Sequence, residues 1–186
     1  MADPTQGPGE PGEESRPDPV RVLIPSPLGA LGIELTGELI SRVLIVPKGR
    51  ERRLYRPFGD FKRGERFDLL EEVLGRFSEY LAGARRNLDL KYDLRLSGMS
   101  GFPRRVLKET AKVPYGRTRT YQQVAEAAGQ PDAYRQVLSV LQVNPLPLVV
   151  PCHRVVTTKA GVGSFIAGAK KKTWLLRLES RGVAVR

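Results

Sequence analysis

The chain has 186 residues and a formal net charge of +11, with one cysteine and one histidine. That length suits one large domain or two small ones, and the single Cys and His exclude both an intramolecular disulfide and a four-ligand Cys/His zinc site. No stretch approaches the ~20 apolar residues of a membrane span, and residues 2–19 lack the apolar core of a signal peptide. The expected compartment is therefore the cytoplasm, or the nucleoid if the partner is DNA, with no membrane partner. The charge is uneven: residues 1–19 carry −4, residues 20–100 carry +4 and residues 101–186 carry +11. A basic C-terminal half favours a polyanion, nucleic acid being the usual one.

In chain order, residues 1–19 read as a disordered tail, rich in Pro, Gly and acidic residues. Residues 20–66 are strand-rich, and 31–47 holds two apolar runs around Thr36-Gly37-Glu38, the pattern of a hairpin. Residues 48–66 are basic and turn-like. Residues 68–83 predict an amphipathic helix with Leu70, Val73, Leu74, Phe77, Tyr80 and Leu81 at helical spacing, capped by Asp68. Residues 88–96 alternate apolar and polar, which predicts a half-buried strand, and Ser97 to Gly101 reads as a linker. The first part is thus α+β.

The second part is mostly helical. A helix over 103–112 is ended by Pro114-Tyr115-Gly116. Thr120-Tyr-Gln-Gln123 is a capping box that opens a helix to about Ala128. Gly129 stops it, Pro131-Asp132 starts the next over roughly 133–142, and such a pair is the helix-turn-helix signature. The last helix spans about 169–181, with Trp174, Leu175 and Leu178 as its apolar side and Gly182 as its stop. Lys170-Lys171-Lys172 reads as a solvated helix face rather than a phosphate contact.

Chemistry concentrates in residues 144–156, Asn-Pro-Leu-Pro-Leu-Val-Val-Pro-Cys-His-Arg-Val-Val. A buried cysteine is usually an inert small hydrophobe. Here His153 and Arg154 follow Cys152 directly, and cationic neighbours lower a thiol's pKa. The flanking prolines stiffen the backbone, and a lone Cys with a His is the recurring pattern of an intracellular nucleophile.

The segment PCHRV (151–155) resembles the active-site signature of the O6-alkylguanine-DNA alkyltransferases. The resemblance covers about residues 100–182: VPYGRTRTYQQVA (113–125), the NPxP run (144–147), PCHRVV, GVG (161–163) and WLLxLE (174–179), ungapped from Tyr121 to Glu179. It implies a ribonuclease-H-like α+β domain over 20–97 and a mostly helical catalytic and DNA-binding domain over 98–186 with a helix-turn-helix. It implies single-turnover transfer of an alkyl group, methyl above all, from O6 of guanine to Cys152 without a cofactor; O4 of thymine is a second candidate atom.

The same resemblance implies residue roles. Cys152 is the acceptor, His153 its base through a bridging water, and Glu179 orients that histidine. Asn144 is a hinge between the nucleophile segment and the helix-turn-helix. Tyr121 donates to the departing guanine and crowds the phosphate beside the flipped nucleotide. Arg135 enters the base stack, with Tyr134, Gln136 and Ser139 beside it on the recognition helix. Leu141, Pro147, Val155, Phe165 and Ile166 wall the pocket. The implied partner is double-stranded DNA, met through its minor groove by a monomer, and the alkylated protein is expected to be unstable.

The chain departs from that pattern in two places. Its recognition helix is bulky, with Ser139 the only small side chain over 134–139. Ser164-Phe165-Ile166-Ala167-Gly168 replaces a tyrosine–serine–glycine type of run, so a narrowed pocket and slower reaction with benzyl than methyl adducts are expected. Three other readings compete: a lesion-binding relative without transfer activity, which would lack the cysteine; a helix-turn-helix regulator, which needs neither Cys152 nor Glu179; and a cysteine hydrolase, which would turn over and need an oxyanion hole.

Overall fold

The computed structural model describes residues 19–46, 67–157 and 161–182. The proposed tail falls outside them but for its last residue, and so does the turn-like segment 48–66. Strands β1 (Val20–Ser26), β2 (Gly29–Thr36) and β3 (Leu39–Val46) form an antiparallel meander in that order. The expected hairpin is β2–β3, with Thr36 paired to Leu39 and a bulge at Glu34/Leu35. The turn before β2 requires glycine: Gly29 has φ +105°, and a Cβ there would lie 2.4 Å from the Val46 carbonyl oxygen.

Helix α1 (Phe67–Leu81) covers the sheet with Leu70, Val73, Phe77, Tyr80 and Leu81 buried, as their spacing predicts. Asp68 is not its cap. It stands inside the first turn, where a carboxylate still complements the helix dipole. The strand expected over 88–96 does not form either. Asp89 has φ +49°, and Asp93 caps a 3-10 turn, Leu94–Ser97, by accepting from the Arg95 N–H. Local side-chain bonding has overridden the ladder. What survives of the alternation is burial of Leu88 and Leu94 and one bridge, Ile40 to Tyr92.

The C-terminal part holds α2 (Gly101–Ala111), α3 (Tyr121–Ala127), α4 (Tyr134–Gln142) and α5 (Ala169–Gly182). The Thr120 capping box forms on both sides: Thr120 Oγ1 accepts from the Gln123 N–H at 3.1 Å, and Gln123 Oε1 accepts from the Thr120 N–H at 2.9 Å. Two short parallel strands, β4 (Arg119–Thr120) and β5 (Val155–Val156), tie the start of α3 to the segment that follows Cys152. The Val43 N–H donates to the Pro145 carbonyl at 2.8 Å, so the sheet's outer edge also grips the segment leading to the cysteine. One contiguous apolar core runs through both parts. Among the described residues, no helix is long and apolar enough to cross a membrane.

Candidate active site

Cys152 opens a 3-10 turn, Cys152–Arg154, reached through a tightly bent loop. Leu148 in that loop has φ +77°, a strained value for a branched residue that only over-determined surroundings sustain. Asn144 supplies them. Its Nδ2 donates to the Val150 carbonyl at 2.9 Å and its Oδ1 accepts from the Leu146 N–H at 3.0 Å. The buried Asn144 side chain therefore holds the whole approach to Cys152.

The thiol is buried, and burial raises its pKa to about 11, with Asn144 and Lys172 pulling it back only in part. His153 Nε2 and the Arg154 guanidinium are engaged with Glu179 rather than with the thiol, so of these two neighbours only the His153 backbone N–H pulls the thiol's pKa down. His153 Nε2 meets Glu179 Oε1 at 2.8 Å. Arg154 clamps the same carboxylate, with Nη2 at 2.9 Å from Oε1 and Nε at 3.0 Å from Oε2, and its Nη1 donates to the Val113 carbonyl at 2.6 Å. The Gly116 N–H adds a bond to Oε2 at 3.0 Å, and the Tyr80 hydroxyl donates to Oε1 at 2.5 Å.

Burial pushes the Glu179 carboxyl up, but His153 and Arg154 outweigh it and hold the pKa at about 2. Burial keeps His153 below its ordinary range, with Glu179 opposing. Nε2 carries the proton that faces Glu179, which leaves Nδ1 as the acceptor. Nδ1 is buried with no hydrogen-bond partner among the described residues.

Lys172, on α5, is close enough to the thiol for its charge to act on it. It is fully buried, contrary to the expected solvated lysine face. Its ammonium donates to the Val155 carbonyl at 2.5 Å, the Ser164 carbonyl at 3.0 Å and the Tyr121 hydroxyl oxygen at 3.4 Å. It stands 5.6 Å from the Tyr121 ring centroid. No carboxylate pairs with it among the described residues, and burial lowers its pKa to about 8, with Cys152 pulling it back up. The signal was present in the sequence: Lys172, Leu175 and Glu179 stand at i, i+3 and i+7, one face of a helix.

Tyr121, the first residue of α3, is buried, and its hydroxyl donates to the Ser164 carbonyl at 3.2 Å. Burial raises its pKa and the neighbouring Cys152 raises it further. Leu141, Pro147, Val155 and Phe165 are buried, and the Phe165 ring meets His153 edge-on at 6.2 Å. Ile166 differs: it is 40% exposed, in a turn. Tyr134, Arg135, Gln136 and Ser139 form no part of this cluster. They lie exposed along α4, opposite buried Val137, Val140 and Leu141, and the Arg135 guanidinium stacks 5.5 Å above the Tyr134 ring.

Residues 101–181 match the sequence model described as the DNA-binding domain of 6-O-methylguanine DNA methyltransferase. A probable methylated-DNA–protein-cysteine methyltransferase of Acanthamoeba polyphaga mimivirus is 44% identical over 89 residues, 48% of this chain and 58% of that protein. The methylated-DNA–protein-cysteine methyltransferase of Methanosarcina barkeri is 34% identical over 112 residues, 60% of this chain and 69% of its own length. The crystal structure of Mycobacterium tuberculosis OGT in complex with DNA superposes with a TM-score of 0.71 at 28% identity, covering 86% of this chain and 92% of that one. A buried cysteine beside an Asn-anchored loop and a His–Glu pair thus stands in a sequence and a fold that agree with these relatives along most of their length: the chain belongs to the methylated-DNA–protein-cysteine methyltransferase family.

Proposed function

We propose that this protein repairs DNA by moving an alkyl group, methyl above all, from O6 of guanine to Cys152, once per molecule. The observation that carries this reading is the buried His153–Glu179 pair on the residue that follows a buried cysteine, with Nδ1 of His153 left without a hydrogen-bond partner among the described residues. At rest the thiol keeps its proton and is inert. In reaction that proton passes to His153 Nδ1 through a bridging water, Glu179 steadies the imidazolium, and the sulfur attacks the alkyl carbon. A C–S bond forms as the C–O bond breaks, and Tyr121 gives its proton to the departing guanine. Lys172 favours the thiolate and holds the Tyr121 oxygen in place. The product is a thioether, which water does not cleave, so no second turnover follows.

The DNA-binding part of this reading rests on the exposed face of α4. Helices α3 and α4 pack together, with Gly129 at φ +80° and a short turn between them. This supports a helix-turn-helix within a C-terminal unit over 98–186, behind an N-terminal ribonuclease-H-like unit over 20–97. The exposed residues Tyr134, Arg135, Gln136 and Ser139 meet the minor groove of double-stranded DNA. Arg135, planar and cationic, fills the gap that the extruded base leaves. Its stacking on Tyr134 holds it ready at the helix start. The working form is a monomer, and the compartment is the cytoplasm at the nucleoid.

The test is stoichiometry. With an excess of duplex oligonucleotide carrying O6-methylguanine, the amount of guanine restored should equal the amount of protein and then stop. Guanine restored many times over per chain would refute single-use transfer. Arg135→Ala should keep reaction with the free base while losing it on duplex DNA.

A further inference from the structure

The Glu179 carboxylate draws its donors from two parts of the molecule. Arg154 and Gly116 belong to the C-terminal part, whereas Tyr80 sits on α1, 99 residues away in sequence. Tyr80 is almost fully buried among apolar neighbours, its ring edge-on to Tyr115 at 6.0 Å. Packing alone does not call for a hydroxyl: Phe77, one turn earlier on the same face, is buried without one. A buried phenol needs an acceptor, and this one has Glu179 Oε1, the same oxygen that His153 meets, while standing 3.3 Å from His153 Nε2.

We propose that Tyr80 is a positioning residue for the proton relay: its hydroxyl holds Glu179 Oε1 and tempers its charge, so that His153 stays neutral with Nδ1 open. This rests on the transfer reading above. The physical reason is competition for one oxygen. An ionised carboxylate that gives part of its charge to a phenol attracts an imidazolium less strongly. Without the phenol, Glu179 would draw a proton onto His153, and a protonated Nδ1 accepts nothing. Among the described residues, the charged groups that act on His153 are Glu179 and Lys172 from α5 and Arg154 from its own turn, and the Tyr80 phenol from α1 is a neutral titratable neighbour. Phe165 offers only a ring edge. Of these, Tyr80 alone comes from the sheet-and-helix layer, which makes that layer part of the relay.

The chain has one histidine, so imidazole nitrogen NMR reports on His153 alone. Wild type, Tyr80→Phe and Tyr115→Phe are titrated; the last removes a buried hydroxyl that has no partner among the described residues. In Tyr80→Phe the His153 midpoint should rise by roughly half a pH unit or more. The acid limb of the single-turnover alkylation rate should rise with it, while Tyr115→Phe should match wild type in both. A midpoint and acid limb unchanged in Tyr80→Phe would overturn the proposal, whatever its melting temperature. If Tyr80→Phe does not fold, 3-fluorotyrosine at position 80 decides: a stronger donor should lower the midpoint, and no change overturns the proposal. If wild type accepts no methyl, the transfer reading falls, and the His153 titration still decides the role of Tyr80.

Discussion

Two buried charged residues of α5, Lys172 and Glu179, are two helical turns apart and are handled in opposite ways. Glu179 is surrounded by donors from four residues, with Arg154 paired to it in a bidentate clamp. Lys172 is just as buried, but the described residues give it only carbonyls and a phenol. A buried charge with its partners in place is a structural element. One held by dipoles alone is costly and easily perturbed, and such groups collect where chemistry needs them. The helix thus carries a stabilising end and a reactive end.

The largest effect should come from breaking the paired end. Glu179→Gln leaves Arg154 buried without its counter-charge and should cost about 3–5 kcal/mol in denaturant unfolding. The same pair predicts acid sensitivity. Because the folded carboxyl has its pKa lowered to about 2, from 4.5 for the free side chain, its contribution is complete above pH 4.5 and is lost as pH falls from 4.5 towards 2. Stability curves of the Gln variant should lack that loss.

Lys172→Met should do the reverse at the other end. Folding stability should hold or improve, since an unpaired buried charge is removed, while the alkylation rate falls roughly tenfold as the thiol pKa climbs by about one unit. The pH signature is specific. Folded Lys172 releases its proton near pH 8 and the unfolded side chain near 10.5, so wild-type stability should rise as pH passes 8. Above 9 the thiol opposes this, because folded Cys152 keeps its proton to about 11. The Met variant should show no rise between 8 and 9. A large loss of stability in this variant would erase the contrast between the two ends.

Smaller effects sharpen the picture around Tyr121. Gly163 has φ +71°, and a Cβ there would meet the Tyr121 hydroxyl at 2.8 Å. Gly163→Ala should cost about 1–2 kcal/mol for the left-handed backbone and slow alkyl transfer by displacing that hydroxyl. Thr120→Ala removes only the helix cap, at about 1 kcal/mol, and should leave the thiol's reaction rate unchanged once the protein is folded.

Local signals in the sequence carried much of this architecture. The capping box at Thr120, the helical spacing from Leu70 to Leu81 and the Thr36-Gly37 hairpin are decided within a few residues, and each forms. The segment 88–96 misled because alternation records which side chains turn inward, not whether a strand partner exists; Asp93 capped a turn instead. The family resemblance names Cys152, His153, Asn144 and Glu179 as a set, and the structure joins His153 to Glu179 and Asn144 to the loop before Cys152. Their electrostatics were not legible, since sequence adjacency hid that Arg154 engages Glu179 rather than the thiol. In the sequence, Tyr80 reads as packing and Lys172 as solvated charge. Only the meeting of α1 with α5, and the folding of Ser164 and Val155 over the ammonium, gives them their parts.

The most direct test of the central claim is the intact mass of the protein after incubation with duplex DNA carrying O6-methylguanine. The account predicts a gain of one methyl in place of one hydrogen, reaching one equivalent and no more, mapped to Cys152 and absent in Cys152→Ala. Unchanged mass, or a methyl on any other residue, would contradict it.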